Sequence, residues 1–264
     1  MSAATAAARR AGAPPTSAHG CYVLRLADTS LILAQRLGEW VGHAPALEED
    51  LGLANIALDL LGQARLLLAH AGELEGRGRA EDELAFLRGE PEYLNATLVE
   101  QPNGDFGQTI VRQFLVDAWQ LELHERLQAS RDARLAEIAA KAVKETRYHL
   151  RYSTGWLIRL GDGTGESHIR MQTALERLWQ FTNELFAADD VDREIAAAGI
   201  GPAPDQLQPA WSERVGAALS EATLKQPPAA HFPWYGKQGR HSEHLGYILA
   251  EMQSLHRAHP GATW

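Results

Sequence analysis

A chain of 264 residues and 29.0 kDa is long enough to bury a sizeable core within one domain. Its 45 % hydrophobic and 22 % charged residues are globular composition, which excludes a largely disordered chain. The formal charge of −9 excludes nucleic acid as a general partner, because phosphate binding needs clustered Lys and Arg. A single cysteine, Cys21, excludes an intramolecular disulfide framework and a multi-cysteine metal site, and nothing beside it marks it as a nucleophile.

Residues 1 to about 20 are Ala-, Gly- and Pro-rich and are expected to form a disordered tail. Arg9-Arg10 is a twin arginine, but no apolar stretch follows it to make a secretion signal. No apolar run reaches the ~18 residues needed to span a bilayer, so no membrane is expected and the cytoplasm is the expected compartment. Residues 21–264 are expected to form one domain. Apolar residues at Leu26, Leu33, Leu37 and Trp40 predict a helix over 22–41, broken by Gly42-His43-Ala44-Pro45. Its end at Gly38-Glu39-Trp40 makes it a candidate partner-facing element.

A second helix is predicted over 47–71. Residues 72–104 then form a long connection with a short helix at 84–87, before Asp105 and Gln108 in capping-box-like spacing. A third helix over 106–129 and a fourth over 133–160 are joined by the turn Ser130-Arg131-Asp132. Further helices are predicted at 167–188, 190–198, 205–223 and 241–258. Two helical hairpins joined by a long crossover define the expected fold class: all-α, a ferritin-like four-helix bundle with additional C-terminal helices.

The second helix is apolar nearly all round and is expected to be buried on most sides. Asn55, Asp59 and Gln63 nevertheless recur at four-residue spacing as a polar stripe. A buried carboxylate needs partners. In an antiparallel hairpin, residues equally far from the turn lie at one level, which sets Asp59 beside Asp28 and Asp117 beside Glu145. Four inward acids at one level are the skeleton of a di-iron carboxylate site, which also requires a Glu-x-x-His on two of the helices. Here the histidine positions hold Gly62 and Tyr148. His149 follows Tyr148, but one residue turns a helical side chain by about 100°, so it is expected to point off the cluster. Three readings stand side by side. The acids are satisfied by Gln63, Gln113, Lys141 or Arg147, they hold water or an adventitious cation as a vestigial site, or they form a working di-iron centre.

The segments RLGEWVGHAP (36–45), LANIALDLLGQAR (53–65), LVEQPNGDF (98–106), KETRYHLRYSTGWLIRLGDGT (144–164) and HSEHLGYILAEMQ (241–253) resemble the phenylacetate-CoA oxygenase family, specifically its structural subunit. The likeness runs from about Tyr22 to Trp264. It implies a non-catalytic subunit of a complex that epoxidises the ring of phenylacetyl-CoA with dioxygen and NADPH. It implies a homologous di-iron catalytic subunit, a small bridging subunit, and a reductase carrying flavin and an iron–sulfur cluster. No cofactor or metal is then expected in this chain, and the four acids would be vestigial.

Lys237 and Arg240 lie in a Gly-rich loop before the last helix and are candidate contacts to CoA phosphates at the interface between subunits; Tyr93 and Asn95 in the crossover are weaker candidates. His241 and His244 lack a third ligand nearby and are read as packing or surface residues. Trp119, Trp156, Trp179, Trp211 and Trp234 are expected as core or interface anchors. Two rival functions remain, an active di-iron oxygenase or ferroxidase with an acid-rich site, and a stand-alone CoA-thioester-binding protein.

Overall fold

The computed structural model describes residues 17–229 and 232–262. Most of the N-terminal tail therefore lies outside the described residues. The helix that follows starts earlier than expected: α1 spans Ala18–Gly38, with Ser17 as N-cap accepting from the Gly20 amide. Residues 18–20 are thus helical and not part of a disordered tail. The other helices are α2 (Leu47–Glu75), α3 (Glu81–Phe86), α4 (Phe106–Leu127), α5 (Ala133–Gly161), α6 (Gly165–Trp179), α7 (Asp190–Ala198), α8 (Gln208–Glu221) and α9 (His244–Ala258). No strand occurs among the described residues, only one isolated bridge between Tyr235 and Arg240.

α1 and α2 form one antiparallel hairpin and α4 and α5 the other, with the 76–105 segment crossing between them. The caps explain the boundaries. Asp105 accepts from the Gln108 amide at 2.9 Å, while the Gln108 side chain turns to the Pro102 carbonyl, so only half of the expected box forms. Asp132 accepts from the Leu135 amide at 3.0 Å and starts α5. α2 ends in a left-handed Gly76, and Gly72 is obligatory because a Cβ there would lie 2.2 Å from the Arg79 carbonyl oxygen. The expected helix over 167–188 is shorter: α6 stops at Trp179 and a 3₁₀ turn, Thr182–Leu185, follows.

Which helix is central differs from expectation. α1 is buried on nearly every side, including Arg25, Asp28 and Arg36, and Trp40 just beyond it donates to Thr109 Oγ1 at 2.9 Å. The candidate partner-facing helix is therefore the core helix. α2 is instead only half covered: Leu47 (73 %), Leu51 (57 %) and Leu58 (63 %) face outward. By length and hydropathy alone α2 would pass for a bilayer span, contrary to the sequence expectation, though half of that stretch is buried in the bundle.

The crossover is tied down by buried charge. Arg88 grips both oxygens of Asp28 and lies 4.2 Å from the centre of the Tyr93 ring. Glu100 accepts from Asn95, His241 and the Ser242 amide, and Glu184 from the amides of Thr97 and Lys237. These contacts knit the C-terminal third onto the crossover. Trp211 donates to the Leu115 carbonyl at 3.1 Å and packs against Trp179 and Phe186, anchoring α8 on α4. Trp119 is also buried, while Trp156 and Trp234 are half-buried against Phe106 and Phe181.

Candidate functional site

The inward face of α5 is set by Ile138, Ala142, Thr146, His149, Ser153 and Leu157, spaced three or four apart. Glu145 and Tyr148 sit one step off that row. Tyr148 is therefore exposed (42 %), while His149 is fully buried. This corrects the expectation that His149 points away from the acids: its Nε2 lies 3.0 Å from Asp59 Oδ2. The histidine on this helix pairs in register with Thr146, which has no carboxylate to offer a metal.

Four polar pairs fill the space between α2, α4 and α5. His149 meets Asp59. Gln63 donates to Glu145 at 2.9 Å, with Lys141 3.6 Å from the other oxygen. Asp117 accepts from Gln113 at 2.6 Å and from Ser153 Oγ at 2.7 Å. His124 Nδ1 lies 3.1 Å from Thr146 Oγ1. Gln63, Gln113 and Lys141 are thus the partners expected from sequence, whereas Arg147 pairs with Glu125 on the surface. Asn55 is exposed and takes no part. Gly62 faces nothing that a Cβ would touch.

The four acids do not share one cage. Asp28 belongs to Arg88 and the Leu94 amide, on the crossover side of α1. Among the described residues no three His, Cys, Asp or Glu ligand atoms in this region converge within 4.8 Å. A di-iron centre of this class needs carboxylates from four helices converging on one cage, with a Glu-x-x-His on two of them. Here Asp28 is turned to Arg88, Gly62 and Tyr148 stand where the histidines would be, and His149 has Thr146 three residues before it, so these residues do not fit that group.

Burial dominates the electrostatics. It pushes the Asp117 carboxyl up to about 6, against the opposing pull of His149, Ser153 and Gln113. Burial, aided by the neighbouring His149, pushes the His124 imidazole down to about 4. The signs oppose. Between pH 4 and 6 the folded chain holds the Asp117 proton that the unfolded chain has lost, so stability falls as pH rises. Over pH 4 to 6.5 the folded chain lacks the His124 proton that the unfolded chain holds, so stability rises. Each effect is about 3 kcal/mol, so the two nearly cancel in the wild type. Asp117→Asn removes the first alone. The variant is expected to match the wild type at pH 4 and to exceed it by about 1–3 kcal/mol at pH 7. Urea unfolding at the two pH values checks this.

The candidate CoA contacts fare differently. Tyr93 and Asn95 are fully buried, with the Tyr93 hydroxyl donating to the Ala85 carbonyl and Asn95 donating to Glu100. They cannot meet a ligand at the surface. Lys237 Nζ is spent on Asp192 at 3.1 Å and the Ala187 carbonyl at 2.8 Å. Only Arg240 is exposed, lying over Tyr235. His241 is enclosed by Glu100 and the Tyr93 carbonyl, and among the described residues no group of three ligating side chains includes it or His244. Burial raises the Cys21 thiol, consistent with an unreactive side chain. Sequence reasoning missed His124, Thr146 and Ser153; the small-and-polar row Ala142, Thr146, His149, Ser153 between charged neighbours was the available signal.

Two antiparallel helical hairpins, a long crossover and a core of paired acids and histidines define an all-α, ferritin-like protein. The whole chain, residues 1–264, matches the family described as phenylacetic acid catabolic protein, and it belongs to that family. It is similar to the C subunit of the 1,2-phenylacetyl-CoA epoxidase of Escherichia coli (strain K12): 56 % identity over 243 residues, covering 92 % of this chain and 98 % of that protein.

Proposed function

We propose that this chain is the non-catalytic subunit of a cytoplasmic phenylacetyl-CoA 1,2-epoxidase, and that it stabilises a homologous di-iron subunit in aerobic phenylacetate degradation. The carrying observation is that the four acids do not converge: Asp28 is held by Arg88 on the crossover side, and among the described residues no three His, Cys, Asp or Glu ligand atoms in this region lie within 4.8 Å of one another. Ring epoxidation would then belong to the partner. Electrons would come from NADPH through a reductase with flavin and an iron–sulfur cluster, and a small bridging subunit would complete the assembly.

The outer face of α2 supports the partner role. A helix that exposes Leu47, Leu51 and Leu58 offers apolar surface of the kind that marks contacts between subunits. The likeness to a protein named as a subunit supports another subunit as the occupant, and the di-iron chain is the one this reading assigns to it. Leu51→Asp combined with Leu58→Asp removes apolar contact and buries charge only in the complex. The isolated variant is expected to melt within a few degrees of the wild type, since both side chains are already exposed. Its co-purification with the di-iron subunit is expected to fall at least about tenfold, which needs only ~1.4 kcal/mol. Undiminished co-purification would remove this face from the interface.

A further inference from the structure

At one end of the bundle three helices meet through a second cluster that the polar core does not include. His19 stands in the first turn of α1, His70 near the end of α2, and Asp132 at the N-cap of α5. His19 Nε2 lies 2.7 Å, and His70 Nε2 2.6 Å, from the same oxygen, Asp132 Oδ2. Among the described residues this is the group of three metal-ligating side chains whose ligand atoms all fall within 4.8 Å of one another. We infer that His19, His70 and Asp132 form a binding site for one divalent transition-metal ion of the zinc class, which staples the three helices together.

The chemistry of the donor set supports this. Two imidazole nitrogens and one carboxylate oxygen suit Zn²⁺ or a similar borderline ion, with water in the fourth position. Ligand bonds of about 2.0–2.2 Å place tetrahedral donors about 3.3 Å apart. An outward movement of roughly half an ångström by each ring therefore opens the cage. The surrounding shell is already arranged. The second Asp132 oxygen accepts from the Leu135 amide at 3.0 Å, which fixes the carboxylate and leaves Oδ2 aimed at the rings. The Asp132 amide in turn donates to Ser130 Oγ at 3.0 Å. His70 is 6 % exposed, and its Nδ1 has no hydrogen-bond partner, with Glu73 Oε2, which also pairs with Arg134, 4.0 Å away. A metal on Nε2 would make Nδ1–H a donor, and a carboxylate one turn along is the usual outer partner of a ligating histidine. The His19 side chain is 27 % exposed, which gives an ion a way in.

The site is independent of any role in epoxidation. It is tested on the untagged full-length chain by titration with Co²⁺, followed by its visible absorption, and by displacement with Zn²⁺. The expected result is one ion per chain with the intense bands of a four-coordinate centre, and a melting temperature that rises with Zn²⁺. His70→Ala and Asp132→Asn are each expected to weaken binding at least about 100-fold. Should His70→Ala fail to fold, His19→Gln carries the same expectation from a partly exposed first turn. No saturable uptake, or uptake unchanged in the variants that fold, would overturn the assignment.

Discussion

Replacing Arg88 by methionine is expected to cost about 3–5 kcal/mol of stability, among the largest single losses this chain can suffer. Arg88 and Asp28 are almost wholly enclosed, with side-chain exposures of 1 % and 0 %. The guanidinium grips both carboxylate oxygens and also donates to the Glu92 carbonyl at 2.9 Å. Methionine fills similar volume but leaves the Asp28 charge with a single remaining donor, the Leu94 amide. The crossover then loses its attachment to α1. Adding Asp28→Leu removes the stranded charge and is expected to recover a substantial part of the loss. Urea unfolding of the single and double variants measures both. A loss below about 1 kcal/mol for Arg88→Met would mean the pair does not hold the crossover.

A comparable cost, about 3–5 kcal/mol, is expected for His241→Ala, and it should depend on pH. Both ring nitrogens of His241 face acceptors, Glu100 Oε2 at 2.8 Å and the Tyr93 carbonyl at 2.8 Å. A neutral imidazole has one N–H and cannot serve both, so this histidine is held as the imidazolium. Burial opposes the charge, but the Glu100 hydrogen bond and charge outweigh it and raise the pKa above its ordinary value. The sign follows. The pair stabilises the fold fully below the unfolded pKa of about 6.5, and that contribution is lost as pH rises through the raised folded value. The difference between wild type and variant should therefore be largest near pH 6 and shrink on the alkaline side. A difference that stays flat from pH 6 to 9 would show that His241 acts by packing alone.

The hairpins were legible because glycine and proline punctuate the chain at Gly42, Pro45, Gly76 and Gly161, and because Asp105 and Asp132 cap the helices that follow. Three things were not. Leucine at 47, 51 and 58 reads the same whether it faces a core or a partner, so the open face of α2 stayed hidden until its neighbours were placed. Anchoring the inward row of α5 on Glu145 turns His149 outward by one step, whereas the observed row passes through Thr146 and His149. Long-range pairing was the third. Arg88 reaches Asp28 across 60 residues and His19 reaches Asp132 across 113, and helical periodicity carries no information about either. That each of the four acids finds its own partner, on different sides of the bundle, is likewise a tertiary fact.

The most direct measurement is the state of iron in the isolated chain after anaerobic Fe²⁺ loading, desalting and exposure to oxygen. Mössbauer spectroscopy distinguishes a coupled pair from a single ion at the His19–His70–Asp132 cluster. The expected result is no coupled di-iron centre in this chain, and one in its complex with the homologous subunit. A stoichiometric coupled pair in the isolated chain, lost in Asp117→Asn, would contradict the proposed function.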